Sequence, residues 1–237
     1  MQRLLRLIYP PTCVSCEALV EEARGLCGAC WRETPFIAGL ACDLCGTPLP
    51  GEAGGIEHCD DCLTIARPWA KGRAALLYKD NGRRVVLALK HGDRLDLAIP
   101  AARWMAAAGR HILTPGALLV PVPVHWLRLA RRRYNQSAVL AQALARQTGL
   151  KVLPDGLVRT RRTPVQDGMG RDERFRNLQD AIQPHPRRAR ILQGREVILI
   201  DDVMTSGATL AAATEAAHAA GATRVSMLAL ARVAKDA

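Results

Sequence analysis

Over most of the chain, short apolar runs rich in β-formers alternate with longer stretches whose apolar residues recur three and four apart. Arg73–Tyr78 reads as a strand and Asn81-Gly82 as a turn. Arg84–Lys90 is helical and ends at His91-Gly92, and Leu95–Ala108 gives a second helix stopped by Gly109. Leu118–Val124 is a buried strand whose prolines fall at its C-terminal end, where strand gives way to loop. His125–Arg133 is a basic loop or helix start. Ser137–Thr148 is helical with Gly149 as its cap, and Gly156–Arg159 is a short strand. Arg161–Arg176 is polar, basic and without period, so it reads as a loop. Val197–Ile200 is a central strand, Thr209–Ala220 a helix stopped by Gly221, and Val225–Leu230 a last strand. Strand and helix in alternation predict an α/β fold, a mostly parallel sheet with helices on both faces. Such sheets bind ligands at the carboxyl ends of their strands.

The first quarter has a different grammar. After a short amphipathic lead, Met1–Thr12, all eight cysteines fall within residues 13–62 as four C-x-x-C pairs: Cys13/Cys16, Cys27/Cys30, Cys42/Cys45 and Cys59/Cys62. Two residues between thiolates let one tight turn present both sulfurs to one ion, and two such turns complete a four-thiolate zinc site. Gly28 and Gly46 lie inside or just after these turns, where a left-handed residue is useful. A sequential pairing, first pair with second and third with fourth, is favoured over a cross-braced one that would use the same residues. Sites so fully ligated have no position for water, which makes both zincs structural. A disulfide framework would require an oxidising compartment, and no export signal is read. His58 is a bystander beside Cys59. The boundary is placed near residue 66, giving a zinc ribbon domain over 1–66 and a larger domain over 67–237.

Charge divides at the same place. Residues 1–66 carry four arginines against nine acids, a balance of −5, so the remainder carries +16 within a formal total of +11. A body this basic suits a polyanion, whether single-stranded DNA or a phosphorylated small molecule. No apolar run approaches the roughly 18 residues that span a bilayer, so a cytoplasmic location is expected.

The stretch Arg195–Ala208, REVILIDDVMTSGA, concentrates the chemistry. An apolar strand ends on Asp201 and Asp202, a turn Thr205-Ser206-Gly207 follows, and a helix opens through Ala208 and Thr209. Loop and helix N–H groups suit a phosphate, and the carboxylates suit vicinal ribose hydroxyls. This stretch resembles the phosphoribosyl-pyrophosphate (PRPP) motif of type I phosphoribosyltransferases, complete from Val197 to Thr209. With the cysteine pairs, the VPVPV strand and the basic segment ahead of it, the chain resembles the ComF family. That family joins a cysteine-rich zinc ribbon to a type I phosphoribosyltransferase domain and includes competence proteins linked to DNA uptake.

The resemblance implies the following roles. Lys90, within Leu89–Asp93, and Arg132-Arg133-Tyr134-Asn135-Gln136, usually R-G-F-N-Q, would flank the pyrophosphate; Arg133 stands where glycine is usual. Thr163, Gln166, Arg174 and Asn177 match the pattern of a loop between core strands. Asp201 and Asp202 would hold the ribose hydroxyls, Thr205–Thr209 the 5′-phosphate, and magnesium would accompany PRPP. Arg132 and Arg174 would stabilise departing pyrophosphate beside the two acids. His125 is read as a solvated loop histidine. Two functions are implied: phosphoribosyl transfer to an acceptor not identifiable from sequence, or a non-catalytic competence factor that binds single-stranded DNA with PRPP as a regulatory ligand. A helicase or other DNA-uptake partner for the ribbon is a third, weaker implication. The scarcity of Phe and Tyr as stacking platforms weighs against the DNA reading.

Overall fold

The computed structural model describes residues 9–52, 55–91, 94–161, 171–178 and 180–234. Its cysteine-rich part holds two short helices, α1 (Gly28–Glu33) and α2 (Asp60–Thr64). The body then runs β1 (Gly72–Leu77), α3 (Asp80–His91), α4 (Ala98–Ala108), β2 (Leu118–Pro121), α5 (Trp126–Arg132) and α6 (Gln136–Thr148). It continues with β3 (Lys151–Val152), β4 (Leu157–Arg159), α7 (Arg171–Leu178), β5 (Ile182–Pro184), β6 (Glu196–Met204), α8 (Ala208–Ala219) and β7 (Arg224–Arg232).

Five strands form one parallel sheet in the order β1-β7-β6-β2-β3. Its central strands are apolar on both sides, as a sheet covered on both faces requires. Alternation divides them: Leu119, Ile198, Ile200, Leu228 and Leu230 pack with Met105 of α4 and Leu140 and Leu144 of α6. Leu118, Val120, Val197, Leu199 and Met227 pack instead with α8. The second half of the cysteine-rich part joins that latter face, with Cys42, Cys45, Cys62 and Trp69 in the same apolar cluster. Residues 35–37 also close the open edge of β1: Ile37 N–H donates to Ala75 at 2.9 Å and Leu77 N–H to Pro35 at 2.9 Å. An edge that could recruit another chain is thereby paired within the molecule.

The fold departs from the sequence reading at several points. Asn81 and Gly82 are not a turn but lie buried in the first turn of α3. Asn81 donates to Thr34 Oγ1 at 2.8 Å and to the Cys30 carbonyl at 3.3 Å, so a polar residue typical of turns is satisfied by the cysteine-rich part. The helix expected from Leu95 begins as a 3-10 turn, Leu95–Leu97, before α4. Gly156–Arg159 does contain a strand, β4, but it pairs antiparallel with β5 outside the main sheet. Arg171–Leu178 is helical where a loop was expected. Gly28 opens α1 rather than making a left-handed turn. The left-handed residues after the turns are Glu17, with φ 66°, and Gly46, with φ 71°.

Candidate functional site

Strand β6 runs four residues beyond the expected strand, so Asp201 and Asp202 lie within it and not after it. The reason is pairing: β7 accompanies β6 as far as Met204↔Arg232, whereas β2 stops at Pro121↔Ile200. Past Ile200 the two acids therefore stand where β2 has left the sheet. The chain leaves β2 toward β3 through α6 on one face, and leaves β6 toward β7 through α8 on the other. Connections diverging from adjacent strands open a crevice at their carboxyl ends.

Four side chains converge there. Ser137 Oγ donates to Asp201 Oδ1 at 2.9 Å, and the Asp202 N–H donates to the same oxygen at 2.9 Å. Lys90 Nζ, at the C-terminal end of α3, lies 3.2 Å from Asp202 Oδ1. Burial, with the neighbouring Asp202 charge, pushes the Asp201 carboxyl up to about 7, against the opposing pull of Lys90 and the Ser137 hydrogen bond. The following loop turns at Gly207, φ 86°, and α8 begins at Ala208. A side chain at 207 would place its Cβ 2.8 Å from Met204 Cε, 2.9 Å from Arg67 Nη1 and 3.0 Å from the Trp69 ring, so the loop is packed from beneath as well as left-handed. Thr205 is exposed, and Ser206 and Thr209 are half-buried.

The segment opposite is tied down residue by residue. Asn135 caps α6 by accepting from the Ser137 N–H at 3.0 Å, and its Nδ2 donates to the Val122 carbonyl at 3.0 Å. Buried Gln136 donates to the Lys90 carbonyl at 3.4 Å, and Tyr134 Oη donates to the Leu89 carbonyl at 2.8 Å. These bonds fix the end of α3, and with it Lys90, against α6. Arg133 ends α5 with φ 65°, the left-handed backbone for which glycine is the least strained residue. His125 is not a solvated loop residue: it is buried and its Nδ1 accepts from the Leu127 N–H at 3.3 Å, capping α5. Arg132 and Arg174 fall on α5 and α7, and their side chains lie outside the described residues. Thr163 and Gln166 also lie outside them. Ser137 escaped notice because a serine after Asn-Gln carries no signal of its own.

The cysteine-rich part holds two thiolate sites. Cys13, Cys16, Cys27 and Cys30 form one set and Cys42, Cys45, Cys59 and Cys62 the other, each with all sulfurs within 4.8 Å of one another. The pairing is sequential. Zinc–sulfur bonds of about 2.3 Å in a tetrahedron put sulfurs about 3.8 Å apart. Cys16 and Cys27 sulfurs are 3.6 Å apart and those of Cys45 and Cys59 3.5 Å. Backbone N–H groups of Ser15 and Cys27 donate to Cys13 Sγ at 3.4 and 3.3 Å, as a thiolate ligand requires. Burial and crowding by neighbouring sulfurs push Cys30 up to about 12 and Cys59 up to about 11, a repulsion that a divalent cation removes. The donor sets fit structural zinc, and among the described residues His58 belongs to neither.

Comparison with known proteins agrees with both halves. The double zinc ribbon domain family matches residues 4–63, and the phosphoribosyl transferase domain family matches residues 135–237. Competence protein F of Haemophilus influenzae is 28% identical over 204 residues, 84% of this chain and 86% of its own. The DNA utilization protein YhgH of Escherichia coli is 30% identical over 192 residues, 79% of this chain and 81% of its own. Among solved structures, a hypoxanthine phosphoribosyltransferase from Staphylococcus aureus aligns over 66% of this chain and 70% of its own, at 12% identity and a TM-score of 0.32, a likeness too loose to inform the site. With two sequential four-cysteine sites ahead of a parallel sheet, and a relative 30% identical across most of both chains, this protein belongs to the ComF family, a double zinc ribbon joined to a phosphoribosyltransferase domain.

Proposed function

We propose that the crevice binds PRPP with magnesium and transfers its phosphoribosyl group to an acceptor. The observation that carries this reading is the placement of Asp201 and Asp202 at the carboxyl end of β6, immediately before the Gly207 turn and the start of α8. In this reading the two carboxylates accept from the 2- and 3-hydroxyls of ribose, and the backbone from Thr205 to Thr209 donates to the 5′-phosphate. Lys90, which now pairs with Asp202, exchanges that partner for pyrophosphate when ribose hydroxyls arrive. Arg132 and Arg174 keep the role that the resemblance implies. The bond from C1 to pyrophosphate breaks with its electron pair leaving on oxygen, and the acceptor's nucleophile forms the new bond to C1. Magnesium, when bound with PRPP, would screen the charge on the leaving group. The ribbon domain is assigned to 1–66 and the transferase domain to 67–237.

Calorimetric titration of magnesium-PRPP into zinc-loaded protein tests this. Micromolar binding to the wild type that is lost in Asp201→Asn/Asp202→Asn supports the site, and pyrophosphate release then becomes the readout for an acceptor screen. A wild type that takes up no magnesium-PRPP overturns it.

A second reading, single-stranded DNA binding with PRPP as regulator, gains one specific observation. Aromatic residues are few, but three gather along a groove of about 500 Å³: Trp31, Phe36 and Trp104, with successive ring centroids 4.5 and 5.5 Å apart. Arg103, Arg110 and His111 line the same groove, and Trp31 is 55% exposed. Stacking faces flanked by cations suit unpaired bases and their phosphates. The names of the relatives, competence protein and DNA utilization protein, point the same way. Oligonucleotide affinity that falls with salt, and falls again in Trp31→Ala, would support this reading; affinity without salt dependence would remove it.

A further inference from the structure

Two arginines outside the crevice hold the phosphate loop from beneath, and one of them also holds a thiolate. Arg67 Nη1 donates to the Ser206 carbonyl at 2.7 Å while its Nε donates to Cys62 Sγ, a ligand of the second zinc site, at 3.4 Å. Its guanidinium lies 5.5 Å from the Trp69 ring centroid. Trp69, only 2% exposed, donates its Nε1–H to the carbonyl of Leu44, inside the Cys42–Cys45 turn. Arg232, 4% exposed and without an acidic partner among the described residues, donates Nη1 to the carbonyls of Met204, Thr205 and Val233. Arg67 therefore bridges the second four-thiolate site and the loop, while Arg232 holds the first carbonyls of the loop.

The consequence follows from the planarity of the peptide. No peptide bond is cis among the described residues, so each N–H points opposite to the C=O of its own unit. With the carbonyls of Met204, Thr205 and Ser206 turned to the two arginines, the N–H groups of Thr205, Ser206 and Gly207 point away from them. Three successive donors so aimed form an anion-binding concavity. Four thiolates on one zinc leave two negative charges, which Arg67 offsets on one side while it orients the loop on the other.

We propose that Arg67 is a positioning residue that ties the second zinc site to the phosphate loop, so that an intact four-thiolate site presets the loop's donors for phosphate. This rests on the reading of that loop as a phosphate site, and the test separates the two. Zinc-loaded full-length Arg67→Ala and Arg67→Lys are compared with wild type for zinc content, for amide hydrogen exchange across residues 204–208, and for affinity toward magnesium-PRPP. In Arg67→Ala, two zincs per chain and an unchanged melting transition should accompany faster exchange confined to the loop, with about tenfold weaker PRPP binding. Arg67→Lys keeps the charge but cannot reach both acceptors at once, so its exchange should fall between the two. Loop exchange equal to wild type in Arg67→Ala, or faster exchange spread over the whole ribbon and sheet, overturns the proposal. If the wild type binds no PRPP, the functional reading falls, and the exchange comparison still decides whether Arg67 orders the loop.

Discussion

At the scale of single residues, Asp201 has a consequence for pH. Desolvation of its carboxyl and the neighbouring Asp202 charge push the folded group up to about 7. Unfolded, an aspartate titrates near 4, so between about pH 4 and about 7 the folded form holds a proton that the unfolded chain has released. Stability contributed by this group therefore falls as pH rises through that window, and the cost is complete above it. Asp201→Asn carries no such cost, so its melting temperature should gain on wild type between about pH 5 and about pH 8. Ligand affinity should move the opposite way, since only the carboxylate accepts from two hydroxyls. Wild-type binding of magnesium-PRPP should strengthen from about pH 6 to about pH 8. Lys90→Met removes the cation that pulls Asp201 down and should shift that midpoint upward. Melting curves whose difference is flat with pH would show that Asp201 is already ionised in the folded protein.

Among the elements, helix α5 carries a strain that the sequence already flags. Arg133 occupies the glycine place of the family pattern, and the structure shows what glycine would do there: the residue caps α5 at φ 65°. Left-handed backbone costs a residue with a Cβ about 1–2 kcal/mol, part of which glycine returns through its greater freedom when unfolded. Arg133→Gly should therefore raise stability by about 0.5–1 kcal/mol, seen in urea titration as a higher midpoint with unchanged slope; a lower midpoint would mean that the Arg133 side chain contributes more than its backbone costs. Elements were legible wherever apolar pattern and punctuation agreed, as in β1, β2, α6 with its Gly149 cap, and α8. They were not legible where a neighbour decides the structure. Asn81 and Gly82 look like a turn because nothing local shows that Thr34 and Cys30 will satisfy the asparagine. Strand β6 looks as if it ends at Ile200 because acids rarely continue a strand, yet β7 pairs with it through Met204. The two-residue β3 and the three-residue β5 are too short to show a period, and nothing in the strand read at Gly156–Arg159 shows that it will pair with β5 outside the main sheet. In the site, the acids and the glycine turn were visible as a motif. Ser137 and Arg67 were not, since only the fold brings them within reach, and Arg232 lies beyond the strand read at Val225–Leu230, which β7 extends to include it.

Across the whole molecule the two four-cysteine sites are chemically alike but stand in different surroundings, which should separate the release of zinc bound to them in rate. In the first, Cys16 is exposed and Cys27 partly so, although the site meets the body through the Asn81 network, through Arg94 on the Val14 carbonyl, through Arg103 on Glu22 and through Val14 in the apolar cluster of α3 and α4. In the second no cysteine is fully exposed: Cys59 is half-buried, Cys62 is buried, and Cys42 and Cys45 have no exposed surface and belong to the apolar cluster beneath α8. Contact there is close enough that Gly72, at the start of β1, could carry no side chain: a Cβ would lie 2.2 Å from the Leu44 carbonyl. A chelator must reach a sulfur before the ion can leave, so exposure sets the rate at the first site. At the second, the core must open first, which costs a large part of the global stability. Zinc release to a coloured chelator should therefore be biphasic. One equivalent should leave quickly with most of the cooperative melting transition retained, and one slowly, at the rate at which the body unfolds. Cys16→Ser should abolish or accelerate only the fast phase. Release of both ions in one phase, or a slow phase altered by Cys16→Ser, would mean that the two ribbons open as one unit and that the apolar contact beneath α8 does not shield the second ion.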